Sequence, residues 1–384
     1  MVYKSGARER NGCTLCPRKC GADRENGQKG GCHADDKIRV ARAALHFWEE
    51  PCISGTSGAE EMPPRQGSAA GRAAHAKNAA RLSGAEETPP RQGSAAGRAA
   101  HAKNAARLSG SGAVFFSGCP LGCVFCQNRE ISHGGIGTEI PVERLAEIFL
   151  ELQAQGAVNI NLVTASHYVP QVCTALRRAK EEGLSLPIVW NSSGYETVET
   201  LRMLEGLVDI YLPDLKYLDP ELAKLYSCAE DYPEVAKEAI REMVRQQPWP
   251  QFEGDDLEAA ESADDGKSAM CLNRAGEGLM RAGVMVRHLL LPGHVREAKR
   301  VVSWLHETFG DQIYISLMNQ YMPPGQPESP DPVLARPVTR REYERLLDYA
   351  VAIGVTQGFY QEGATASACF IPAFDGTGVT KTGL

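Results

Sequence analysis

Ser117-Gly118-Cys119-Pro120-Leu121-Gly122-Cys123-Val124-Phe125-Cys126-Gln127-Asn128 decides how this chain is read. Its three cysteines, separated by three and then two residues, lie on a Gly- and Pro-rich turn that follows the apolar run Ala113-Val114-Phe115-Phe116. Such a turn lets thiols converge on one small inorganic centre. Structural zinc and electron-transfer clusters normally take four protein ligands, so three thiolates leave one metal position open to a small molecule. A zinc knuckle or three structural thiols is the competing reading of the spacing.

The chain of 384 residues is 43% hydrophobic, enough for one large barrel-like domain or two ordinary ones. Met1 to Gly12 is charged and lacks the apolar core of a signal peptide, so the twelve cysteines are expected to be reduced, cytoplasmic and used for metal. No apolar run is long enough to span a bilayer. The net charge of -7 argues against a general nucleic-acid-binding surface.

Upstream, Cys13, Cys16, Cys20 and Cys32 form a compact group in a segment poor in periodic structure. Four thiols with Gly and Pro at the turns suggest a closed four-thiolate site, zinc or a second iron-sulfur cluster, stapling a small module within residues 1–56. Residues 57–110 hold a tandem repeat of period 26, in which Ala59 to Gly84 matches Ala85 to Gly110 except that Met62 becomes Thr88. The repeat buries too little apolar surface to offset its ordering entropy and reads as a disordered insertion. Residues 246–281, with an acidic run from Glu253 to Asp265, read as a second one.

Between and after these insertions, in 111–245 and 282–384, strand and helix patterns alternate, the signature of parallel βα units. Strands are expected at Ala113 to Phe116, Asn159 to Thr164, Leu186 to Trp190, Val208 to Leu212, Val284 to Leu291 and Gln312 to Leu317. Amphipathic helices are expected at Val142 to Gln155, Tyr168 to Glu182, Glu196 to Gly206, Pro233 to Arg245, Arg296 to Phe309 and Arg340 to Ile353. The fold class is therefore α/β, a partial (β/α)6 TIM-type barrel with a small N-terminal Cys-rich module. Chemistry in such architectures gathers at the C-terminal strand ends. There lie the three cysteines, Thr164-Ala165-Ser166-His167, Asn191-Ser192-Ser193-Gly194, Asp214-Leu215-Lys216 and Asn319-Gln320-Tyr321.

The Cys119-x3-Cys123-x2-Cys126 motif, with Phe125 before its last cysteine, resembles the cluster motif of radical SAM enzymes. The resemblance implies a [4Fe-4S] cluster on Cys119, Cys123 and Cys126 and S-adenosylmethionine (SAM) on the fourth iron. Reductive cleavage then gives a 5'-deoxyadenosyl radical that abstracts hydrogen from substrate. On this reading Thr164, Ser166 and the local backbone meet the SAM zwitterion, His167 contacts SAM or substrate, and Asn191 and Ser192 reach the ribose. Asp214 and Lys216 supply paired charge, Arg287 meets the SAM carboxylate, and Phe125 lies against adenine. Asp214-Leu215-Lys216, Arg287 ahead of Leu291-Pro292-Gly293, and the cluster motif together resemble the activating enzymes of glycyl-radical proteins, typified by pyruvate formate-lyase activase.

The chain is similar over about 300 residues to an uncharacterised branch related to those activases. The similarity rests on Cys13 to Gly21, Tyr232 to Val235, Leu317 to Tyr321 and Gln361 to Ser367. The Gly-Gly-Glu motif of the activases is replaced by Thr164-Ala165-Ser166-His167. The resemblance implies a low-potential electron donor, flavodoxin or ferredoxin, and a protein or peptide substrate; a small molecule or RNA is the alternative substrate. The non-enzymatic alternative is a zinc-binding scaffold with basic repeats facing an acidic partner.

Overall fold

The computed structural model describes residues 12–55, 110–254, 278–324, 331–361 and 371–381. The tandem repeats and most of the acidic insertion lie outside these residues, as do Glu362 and Thr365.

Ten strands form one open sheet: β1 Arg39–His46, β2 Ser111–Phe116, β3 Thr138–Glu139, β4 Ile160–Val163, β5 Ile188–Ser192, β6 Ile210–Pro213, β7 Gln251–Phe252, β8 Met280–Leu289, β9 Tyr314–Met318 and β10 Gly358–Tyr360. Their order is β10-β9-β8-β6-β5-β4-β2-β1-β3, with β7 paired to β8. Neighbours from β2 through β4, β5, β6, β8 and β9 to β10 are all parallel. β1 closes the β2 edge antiparallel. The sheet is thus a partial TIM-type barrel in which β2, β4, β5, β6, β8 and β9 are the six expected strands.

The helices in chain order are α1 Pro51–Ser54, α2 Arg129–Ser132, α3 Val142–Ala154, α4 Val169–Glu181, α5 Val198–Arg202, α6 Pro220–Ser227, α7 Tyr232–Gln246, α8 Val295–Phe309 and α9 Arg340–Ala352. Strand residues alternate between two buried faces, as a period of two demands. Val114, Phe116, Trp190, Tyr211 and Val286 face the helix layer. Val189, Ile210, Leu212, Met285 and Tyr314 face the concave interior. That interior is filled by the segment after β1, whose Cys52 and Ile53 pack among these inner residues. Neither face is wetted, which explains the continuous apolar runs of the strands.

Several elements depart from the sequence expectation, β1 and β7 among them. β1 escapes the alternation test because its register with β2 shifts between Val40 and Arg42, so the period of two breaks inside the strand. β7 and the start of β8 fall within the stretch read as an insertion, and pairing of Gln251 with Ala282 orders them. Among the described residues no helix is long and apolar enough to cross a membrane.

Ile53 is fully buried inside the half-barrel. Ile53→Ala is expected to cost about 2–5 kcal/mol through lost transfer energy and a cavity, read as a lower midpoint in urea denaturation. An unchanged midpoint would show that the segment after β1 is not part of the core.

Candidate functional site: a three-thiol cleft at the strand ends

The cluster turn leaves β2 through Ser117 and is tied down by main-chain hydrogen bonds. Gly118 N–H donates to Ile131 O (2.9 Å), Gly122 N–H to Ser227 O (3.1 Å) and Val124 N–H to Tyr226 O (2.9 Å). Gly118 has φ +96°, and a Cβ there would stand 2.6 Å from Cys32 O and 2.9 Å from His167 Nε2. Only glycine fits that turn.

Cys119, Cys123 and Cys126 line one solvent-open cleft. Each sulfur has a polar neighbour. Leu121 N–H donates to Cys119 Sγ (3.5 Å), Cys123 Sγ lies 2.9 Å from Ser227 Oγ, and Cys126 Sγ lies 3.4 Å from Ser132 Oγ. Burial, then the neighbouring Cys123 and Cys126 thiols, push the Cys119 thiol far above its ordinary range. Burial pushes Cys123 up to about 11 against the lowering pull of Lys216. Those two thiols therefore stay neutral until something cationic meets them.

Thr164, Asn191, Ser192, Asp214, Lys216 and Arg287 line the same cleft from the ends of β4, β5, β6 and β8. Lys216 Nζ donates to Asp214 Oδ2 (2.7 Å). Burial opposes ionisation of Asp214, but Lys216 and Arg287 outweigh it and hold the carboxyl below its usual range. Thr164 has φ +60°, a left-handed conformation that a β-branched residue adopts only under constraint. Strain of this kind clusters at functional sites. Phe125 lines the cleft, with its ring centroid 6.2 Å from that of Tyr321.

Arg287 meets its anions within the chain. Its guanidinium donates to Asn191 Oδ1 (2.6 Å), Asp214 Oδ1 (3.1 Å) and Glu49 Oε2 (3.3 Å). Ser166 and His167 do not line the cleft. The chain turns into a 3-10 helix over Ser166–Tyr168 and buries both behind it. Ser166 Oγ donates to Glu196 Oε1 (2.5 Å). Burial lowers the His167 pKa to about 4, so the ring is neutral; Nε2, 2.7 Å from Ser117 O, carries the proton and donates to that carbonyl.

Three residues singled out by no sequence motif of the site hold it together. Glu49 accepts from Asn161 Nδ2 (3.0 Å) as well as from Arg287. Buried Glu196 also accepts from Ser192 Oγ (3.1 Å). Tyr232 Oη donates to Ser193 O and Asp214 O (both 2.9 Å) and accepts from Lys216 N–H (3.0 Å). An isolated acidic pair before Pro51 was the only signal for Glu49.

At the other end of the chain, Cys13, Cys16, Cys20 and Cys32 gather in the N-terminal module, where burial pushes Cys16 up to about 11 with the other three thiols adding to it. Among the described residues no group of three or more His, Cys, Asp or Glu side chains is arranged to hold a single metal ion as it stands. Thiolates on a cubane each bind a different iron and so stand wider apart than the ligands of one ion. The three sulfurs of the cleft, with their hydrogen-bond donors and an adjoining polar rim, fit such a cluster with one iron left for a chelating amino acid.

Residues 113–248, from β2 through α7, match the family model described as the Radical SAM superfamily. That match covers about a third of the chain. An uncharacterized protein of Methanocaldococcus jannaschii is 26% identical over 249 residues, which is 62% of each chain. The chain thus spans less than two thirds of that relative. Among solved structures, Streptococcus suis SuiB bound to S-adenosylmethionine is 14% identical with a TM-score of 0.40, covering 64% of this chain and 48% of that one. A domain of a pyruvate-formate lyase-activating enzyme from Bacteroides vulgatus is 12% identical with a TM-score of 0.31, covering 51% and 92%. Structural likeness at that level carries no argument about chemistry.

Glu196 supplies a test of the site's electrostatics. Burial raises its pKa from 4.5 to about 7, against the hydrogen bonds of Ser166 and Ser192. The folded state therefore binds this proton more tightly than the unfolded chain. The stability it contributes is present below pH 4.5 and is lost as pH rises through about 7, by roughly 3 kcal/mol. Glu196→Gln is expected to flatten that loss in urea titrations at pH 5 and pH 8, and an identical pH slope in both proteins would contradict it.

Proposed function

We propose that the protein is a radical SAM oxidoreductase related to the activases of glycyl-radical enzymes. The observation that carries the reading is that three thiols of one turn and the polar ends of four parallel strands face a single cleft. Cys119, Cys123 and Cys126 would hold a [4Fe-4S] cluster, leaving one iron for SAM. When bound, this pair supplies reductive cleavage of SAM and a 5'-deoxyadenosyl radical able to take hydrogen from a substrate.

The remaining work falls to the chain. Thr164, Asn191 and Ser192 offer hydroxyl and amide partners for the zwitterion and ribose. Lys216, paired to Asp214, sets positive charge near Cys123 and so favours the anionic sulfur that iron needs. Arg287 acts through others: by holding Asn191 and Asp214 it fixes the rim that SAM meets. Leu289 and Met318 add apolar wall that limits water.

The activase reading draws on Asp214-Leu215-Lys216, Arg287 and Leu291-Pro292-Gly293, and it names a protein backbone as substrate and a low-potential flavodoxin or ferredoxin as electron source. The four N-terminal thiols are a separate metal-binding group in this proposal.

Anaerobically reconstituted protein, reduced with dithionite, is expected to form 5'-deoxyadenosine from SAM. Cys123→Ala is expected to reduce that product to background and to lower bound iron by about four per chain. Cleavage that survives in Cys123→Ala would overturn the assignment.

A further inference from the structure

Residues 12–37 have almost nothing with which to stabilise themselves. They contain one turn of 3-10 helix, Arg24–Asn26, and bury only Cys16, Ala22, Arg24, Cys32 and Ala34. Yet the backbone is sharply shaped around the thiols. Cys13 N–H donates to Ala22 O (2.9 Å), Gly21 N–H to Cys13 O (3.1 Å) and Lys19 N–H to Cys16 O (3.0 Å). Lys19 (φ +42°) and His33 (φ +63°) take left-handed conformations beside Cys20 and Cys32, which persist only when something over-determines them. A Cβ on Gly30 would stand 3.0 Å from Cys20 Sγ and 3.6 Å from Cys32 Sγ, so the space a side chain would fill lies against two of the sulfurs. Arg24 Nη1 lies 3.8 Å from Cys13 Sγ, placing a cation against a third.

The module is also joined to the cluster turn. Cys32 O accepts from Cys119 N–H (3.1 Å), linking a cysteine of one group directly to a cysteine of the other. Arg18, between Cys16 and Cys20, donates through Nε to Pro120 O (2.8 Å) and through Nη1 to Cys228 O (2.5 Å). Arg24 Nη1 donates to His167 O (2.7 Å).

We propose that Cys13, Cys16, Cys20 and Cys32 form a second, four-thiolate metal centre, and that its occupancy holds the first half of the cluster turn in place through the Cys32–Cys119 hydrogen bond. The occupant is a thiophilic centre, zinc or an iron-sulfur cluster, and each thiol that binds it releases a proton. Holding a single zinc would require exposed Cys20 and half-buried Cys13 to turn toward the buried pair. The metal-binding step stands apart from the radical SAM reading, whereas the coupling rests on it.

The test uses the full chain with Cys119, Cys123 and Cys126 all replaced by Ala, purified anaerobically from medium containing zinc and iron. It is expected to retain about one zinc, or about four irons with iron-sulfur absorbance near 400 nm, and the two results separate the two sources. Cys20→Ser in the otherwise native chain alters an exposed position and is expected to lose that same metal. It is also expected to speed hydrogen exchange at the Cys119 amide at least tenfold. A triple variant without thiolate-bound metal, together with native metal content in Cys20→Ser, would overturn the centre. Metal lost from Cys20→Ser with unchanged exchange at Cys119 would overturn the coupling. Failure of SAM cleavage with this metal retained would count against the proposed function alone.

Discussion

The Arg287 guanidinium is the constraint around which the half-barrel is arranged. A largely buried cation at the wall of a cleft is expensive unless its donors are filled, and removing a partner strands its charge. Here the donors are filled from three directions: Asn191 at the end of β5, Asp214 after β6, and Glu49, which lies 238 residues away in sequence. The guanidinium thus pulls two strand ends and the segment after β1 onto β8. Because Asp214 also receives Lys216, and Tyr232 ties both of their backbones, the charge pattern of the cleft rim follows from that arrangement.

Thiol electrostatics then select what the cleft holds. Burial keeps Cys119 and Cys123 protonated, which leaves them inert as nucleophiles at neutral pH. A multivalent iron centre reverses this by replacing the proton, while the Ser227 and Ser132 hydroxyls and the Leu121 amide stay at hydrogen-bond reach of the sulfurs.

The sequence revealed what depends on local pattern and hid what depends on distant meeting. β2, β4, β5, β6, β8 and β9 were visible because parallel strands buried on both faces read as apolar runs, and the cluster turn because its spacing is local. β1 was hidden by its register shift, and α6 by being only eight residues long, although Asp219 caps it through Glu221 N–H and Leu222 N–H. Thr164, Asn191, Ser192, Asp214, Lys216 and Arg287 line one cleft at the strand ends. Ser166 and His167 lie on a 3-10 turn outside its lining. Glu196 carries no local signal and Glu49 only an acidic pair before Pro51, since their roles exist only once other strands supply their partners.

The central claim is that the three thiols hold a cluster whose fourth iron is open to SAM. The most direct measurement is the electron paramagnetic resonance spectrum of the reduced native protein before and after SAM is added. The account predicts a [4Fe-4S] signal whose g-values shift on addition of SAM. A reduced cluster whose spectrum is indifferent to saturating SAM would contradict it.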